Sequence, residues 1–218
     1  MPNGIRPVLL LLLCLFLLIF PALGHAIRRQ TRQAAIAFAL QAALIGGCWA
    51  TARIAGITTA IFLAILVALP VWCLQTYAAW HLSAGHPVGL LPALRIVWTR
   101  GHDIRYLGAL FFLTAFLDLY IIVANPEYAL AVFCAKPGGV FGILAKAQSP
   151  ILHTLIGYGF MRLRRWSILL YMVYAGFGLL NALANYACFG YGRVRTAFLL
   201  TLVGFTVYVI WRRHCFKD

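Results

Sequence analysis

The chain has 218 residues, is 64% hydrophobic and only 10% charged, and carries a formal net charge of +14 with a mean hydropathy of +0.92. A soluble domain of this size coats itself with charged side chains over roughly a quarter of its residues, so a water-soluble fold is excluded and lipid is expected to cover the surface. The positive charge does not point to nucleic acid, because the arginines stand in short clusters between apolar runs rather than along one amphipathic face.

A spanning helix needs about 20 apolar residues, and that length divides the chain into spans near 7–26, 34–52, 56–76, 106–124, 141–161, 166–187 and 196–211. The fold class that follows is all-α: a polytopic integral membrane helix bundle of about seven transmembrane helices, with no soluble domain. The first span is built on VLLLLLCLFLLIF. It has a competing reading as a cleaved signal peptide, with Arg6 as its charged start and Gly24-His25-Ala26 as the small-residue site.

The apolar block that follows is too long for one span, and Arg53 marks the hairpin that divides it. Within the second span Ala35, Ala39, Ala43 and Gly47 repeat every fourth position. Such a stripe lets helix backbones approach closely in lipid. It is expected at the bundle centre, with a face for a protein partner in the membrane as the alternative.

Between spans three and four, PALRIVWTRGHD places Arg95, Thr99 and His102 at helical spacing after Pro92. That segment reads either as a short helix on the inner leaflet or as a solvated loop. Arg95 and Arg100, together with Arg162, Arg164 and Arg165 in FMRLRRW, are candidate contacts for lipid headgroups. The fourth span ends at the helix-stopping NPE of 125–127. The fifth is the weakest, interrupted by Lys146 and Pro150, and without it the bundle has six spans. The glycines of GYGF at 157–160 are expected to allow close helix contact or a turn.

Four acids occur, and three of them, Asp103, Glu127 and Asp218, fall in segments that read as loop or tail. Asp118 is different, lying about 20 Å up the fourth span from Arg105 at 1.5 Å per residue. A carboxylate at that depth costs several kcal/mol unless paired or reached by water. His153, Tyr174 and Gln41 come out about 13 Å up their own spans and Asn181 about 24 Å. These five residues form the candidate intramembrane polar site, either interhelical hydrogen-bond glue or a proton or ion path.

The six cysteines are scattered singly. Cys134 and Cys188 both fall on the outer side, where a disulfide and two unpaired thiols are the alternatives. His81 and His86 are five apart and do not share a helix stripe, so neither metal nor any other cofactor is expected. No HExxH, GxSxG, P-loop or GxGxxG occurs, and no catalytic residue is assigned. The expected function is a structural or accessory role in a membrane complex. A small transporter or proton-coupled permease using an Asp/His pair is the alternative, and an intramembrane enzyme acting on lipid comes third.

Positive charge sets the orientation. With the N-terminus outside, twelve of the eighteen Lys and Arg residues face the cytoplasm. A prokaryotic inner (plasma) membrane is the expected location. Reporter fusions provide the check: a fusion after Asp218 should be active in the cytoplasm and one in the 125–140 loop outside. A C-terminal fusion active only on the outer side contradicts this orientation.

Overall fold

The computed structural model describes residues 5–82, 88–125, 129–190 and 192–217, with a few side chains inside helices left out, chiefly before Leu12. Among these residues all regular structure is helical. In chain order the helices are α1 (Ile5–Ile27), α2 (Thr31–Ala55), α3 (Ile57–Leu63), α4 (Leu69–Trp80), α5 (Leu90–Thr99), α6 (His102–Ala124), α7 (Gly139–Met161), α8 (Arg165–Phe189) and α9 (Arg193–Trp211). A π turn over Ala64–Ala68 joins α3 to α4 without a break. It lies just before Pro70, which has no N–H to give the preceding turn. Each of the seven sequence-derived spans is helical.

Four helices are long and apolar enough to cross a membrane among the described residues: Thr31–Ala55, Thr59–Trp80, His102–Ala124 and Arg165–Phe189. In α1 and α9 the apolar stretches described are shorter, Leu15–Ile27 and Leu199–Trp211. The middle of α7 is interrupted by Lys146, Ser149, Pro150 and His153. Pro126, Glu127, His86 and Asp218 lie outside the described residues.

The chain forms two compact units, residues 1–98 and 99–218. In the first, Pro21 inside α1 cannot donate to the carbonyl of Leu17. That freed carbonyl accepts the indole N–H of Trp72 from α4 at 2.9 Å, and Trp80 donates to Phe20 O at 3.2 Å. Phe20 stacks on both indoles, with centroids 6.1 and 5.1 Å away. The Arg28 guanidinium closes the same end of α4, donating to the carbonyls of Ala79 and Trp80. Gly24 is where α1 crosses α4, since a Cβ there would lie 2.9 Å from Ala79 Cβ.

The small-residue stripe of α2 is not at a bundle centre. Ala35, Ala39, Ala43 and Gly47 are exposed, and the buried positions are Ala37 and Gln41. The reason is rotational: Ala37 and Gln41 also stand four apart and form a separate stripe, and that one is buried. The segment after α4 resolves in favour of a helix. α5 starts ahead of Pro92 and buries Ala93 against Leu74 and Ala78 of α4. It stops before His102, because Gly101 adopts a left-handed conformation (φ 67°) and opens α6.

In the second unit α6, α7, α8 and α9 surround a core of Ile104, Leu107, Ile156, Phe160, Tyr171 and Val209. The α6–α7 contact is backbone on backbone. A Cβ on Gly108 would lie 2.8 Å from Gly157 O, and one on Gly157 would lie 2.8 Å from Gly108 O. The chain end returns to the α7–α8 turn, where Lys217 N donates to Leu163 O and Arg165 N donates to Lys217 O. Phe216 is buried there against Phe160, with centroids 5.2 Å apart.

Two glycine substitutions separate crossing points from open faces. Gly157→Leu should destabilise by about 1–3 kcal/mol through overpacking, seen as a lower thermal midpoint of the purified protein. Gly47→Leu should not, because a Cβ there meets nothing within 4 Å. Equal midpoints would show that α6 and α7 do not cross at Gly108 and Gly157.

Candidate functional site

Asp118 on α6 is held from α7 by two donors. Ser149 Oγ donates to Asp118 Oδ2 at 2.6 Å, and His153 Nδ1 lies 2.8 Å from the same oxygen. His153 Nε2 in turn lies 2.9 Å from the hydroxyl of Tyr174 on α8. The carboxylate only accepts, so Nδ1 carries the hydrogen, and in the neutral ring Nε2 accepts from Tyr174. Phe111, two turns before Asp118 on α6, packs against both rings, with centroids 5.5 Å from His153 and 6.0 Å from Tyr174. The His153 side chain is 7% exposed and that of Asp118 22%, so the histidine is enclosed while the acid keeps one open edge.

Helix spacing explains the meeting. Ser149 and His153 are four apart and share a stripe of α7. Pro150 between them has no N–H for the Lys146 carbonyl, which loosens the ladder at this turn. Ser149 is the member that sequence reasoning missed. Its signal was available, since it lies one turn from His153.

Ser149, His153 and Asp118 are the residue types of a hydrolytic triad but not its geometry. In a triad the histidine stands between the serine and the acid. Here serine and histidine both bond to the acid and the histidine's second nitrogen is taken by Tyr174, so no activated nucleophile results.

The other sequence candidates belong elsewhere. Asn181 lies seven residues beyond Tyr174, about 10 Å along α8, and serves the connection before α7. Its Oδ1 accepts from Phe133 N at 2.8 Å, and Asn185 Oδ1 accepts from Cys134 N at 2.9 Å. Both side-chain amides reach the carbonyl of Ala131, and Asn185 Nδ2 also donates to Asn181 Oδ1 at 3.2 Å. These bonds satisfy a tight turn in which Phe133 and Cys134 have φ of 44° and 70°. The same turn carries a disulfide, Cys134–Cys188, with Cα atoms 5.8 Å apart. The asparagines present Cys134 to the end of α8, which is the placement that sequence distance alone could not supply. Gln41 belongs to the first unit, where it is buried and its Oε1 has no hydrogen-bond partner.

A second polar cluster stands at the opposite end of this unit. Asp103, expected in a loop, occupies the first turn of α6, where the helix dipole favours an acid. It receives Arg212 Nε at 2.6 Å, Arg212 Nη2 at 2.8 Å and the Tyr208 hydroxyl at 2.7 Å. Arg212 is therefore buried and paired. Burial pushes the thiol of nearby Cys215 above its usual range, with Arg212 pulling the other way. Arg95, Arg100, Arg162, Arg164 and Arg165 are exposed, and Arg162 lies over the Tyr158 ring at 6.0 Å.

Comparison of the chain with protein-family models, with curated proteins and with solved structures finds no match. The functional reading therefore rests on the geometry.

The disulfide gives a direct test of this turn. It closes 54 residues of sequence, which in the chain-entropy estimate stabilises by about 4 kcal/mol. Cys134→Ser should lower the thermal midpoint of the oxidised protein and leave that of the reduced protein nearly unchanged. Identical midpoints for both proteins with and without reductant would contradict the pairing.

Proposed function

We propose that the chain is a multi-pass integral protein of a prokaryotic inner (plasma) membrane, with seven spans, the N-terminus outside and the C-terminus in the cytoplasm. Its role is structural or accessory within a membrane complex. The observation that carries this reading is the hydrogen bonding within the Asp118 cluster. Asp118 Oδ2 meets both Ser149 and His153, and His153 Nε2 meets Tyr174, which links α6, α7 and α8. This is how polar groups act as interhelical glue in lipid.

The orientation has support from two ends of the second unit. The disulfide joins the α6–α7 connection to the end of α8, and disulfides persist on the oxidising side of a membrane. Arg162, Arg164, Arg165 and Arg213 stand at the other end, as positive residues do on the cytoplasmic side. Retention of the first span is supported by the carbonyls of α1 that accept Trp72 and Trp80. The exposed stripe Ala35, Ala39, Ala43 and Gly47 supports a protein partner, because it admits a second helix closely. The exposed arginines Arg95, Arg100, Arg162, Arg164 and Arg165 are assigned to lipid headgroups.

A second reading, proton coupling, is favoured by one observation: Asp118, His153 and Tyr174 form an unbroken titratable chain that ends in a partly exposed carboxylate. Asp118→Asn separates the two, because Asn keeps the shape and the acceptor oxygen but cannot carry the proton. In proteoliposomes holding a pH-sensitive dye, an imposed potential should drive no proton flux beyond that of protein-free vesicles. Asp118→Asn should insert and melt close to the native protein. Proton flux in the native protein that disappears in Asp118→Asn would replace the structural reading with proton coupling.

A further inference from the structure

A further polar site lies in the first unit. Gln75 on α4 is 4% exposed, and neither its Nε2 nor its Oε1 has a hydrogen-bond partner. A buried amide left in this state is destabilising until a partner answers it. Gln75 forms part of the wall of a half-open cavity that is also lined by His25 of α1 and by Gln33, Ala37 and Leu40 of α2. The cavity is small, about 20 Å³, enough for one or two oxygen atoms.

The donor set defines the occupant. His25 Nδ1 is 2.9 Å from Gln30 Oε1, an acceptor, so the neutral ring keeps Nε2 as an acceptor. Gln75 and Gln33 each offer N–H donors and a carbonyl oxygen. Among the described residues no carboxylate, lysine or arginine lines the cavity, and Arg28, just after α1, is tied to Ala79 O and Trp80 O. A charged ligand would find no counter-ion among these described lining residues. A lone carbonyl would answer the Gln75 N–H and leave its oxygen unpaired, whereas a pair of adjacent hydroxyls answers both. The rim beside the polar floor is apolar, with Ile36 44% exposed, and suits an alkyl chain.

We infer that this cavity binds the uncharged, hydroxylated head of a neutral amphiphile of the monoacylglycerol type, with vicinal hydroxyls at Gln75 and His25 and the acyl chain across Ile36.

The test uses the full-length protein in phosphatidylcholine nanodiscs and a monoacylglycerol carrying a diazirine on its acyl chain. Labelling should saturate and map to peptides of α2 and α4. Unlabelled 1-monooleoylglycerol should compete, while methyl oleate, which has a carbonyl but no hydroxyl, and oleate, which is charged, should not. Gln75→Leu should cut labelling at least fivefold while the thermal midpoint stays level or rises, because the unpaired amide is gone. If Gln75→Leu fails to fold, Gln33→Leu at the rim provides the same readout. Labelling that does not saturate, that maps elsewhere, that methyl oleate competes equally well, or that persists in the folded variant would overturn the assignment and leave a cavity that holds only water.

Discussion

A carboxylate in a hydrocarbon layer must be paired, and the second unit is arranged around that requirement. Asp118 receives two donors from α7, and through His153 it reaches α8. The pairing depends on helix register. Gly108 and Gly157 bring the backbones of α6 and α7 into contact. Ten residues further along α6 and eight residues back along α7, the antiparallel pair sets Asp118 opposite Ser149. A side chain larger than hydrogen at either glycine would separate the helices and move the acid off its donors. The glycine contact and the polar cluster are therefore two parts of one constraint, with packing setting the distance and hydrogen bonds fixing the rotation.

The same logic recurs at both ends of the unit. Near the start of α6, Asp103 neutralises Arg212 and receives Tyr208, which ties α9 to α6 and lets a guanidinium be buried. Beyond the end of α6, Asn181 and Asn185 satisfy the backbone of a strained turn and present Cys134 to Cys188. The first unit relies more on its prolines and tryptophans. Pro21 releases a carbonyl that Trp72 takes up. Among the described residues it also holds buried polar atoms without partners at Gln41, Gln75 and Thr76, while the second unit has one at Thr196.

The helices were legible in the sequence because hydropathy over about 20 residues is a strong signal. The segment containing Lys146 and Pro150 is also helical, though it is not one of the four helices that are long and apolar enough to cross a membrane. Asp118, His153 and Tyr174 were legible through depth, since a polar group far from both helix ends has few partners it can reach. Depth was also what misled the grouping of Asn181 with them. It measures position along a helix but not rotation about it, and it does not show that a turn outside the helices will claim an asparagine. The α2 stripe failed for the same reason: two stripes four residues apart coexist, and composition does not say which one faces inward. The Asp103–Arg212 pair was missed because its members stand 109 residues apart in sequence, with no local pattern to join them.

The most direct test of the central claim is a double-mutant cycle on Asp118 and His153, with unfolding free energy measured in bilayers for Asp118→Ala, His153→Ala and the pair. A clasp between α6 and α7 predicts that the double variant loses less than the sum of the singles, by a coupling of about 0.6–2 kcal/mol. Additivity within about 0.3 kcal/mol would contradict it and show that the two residues act independently.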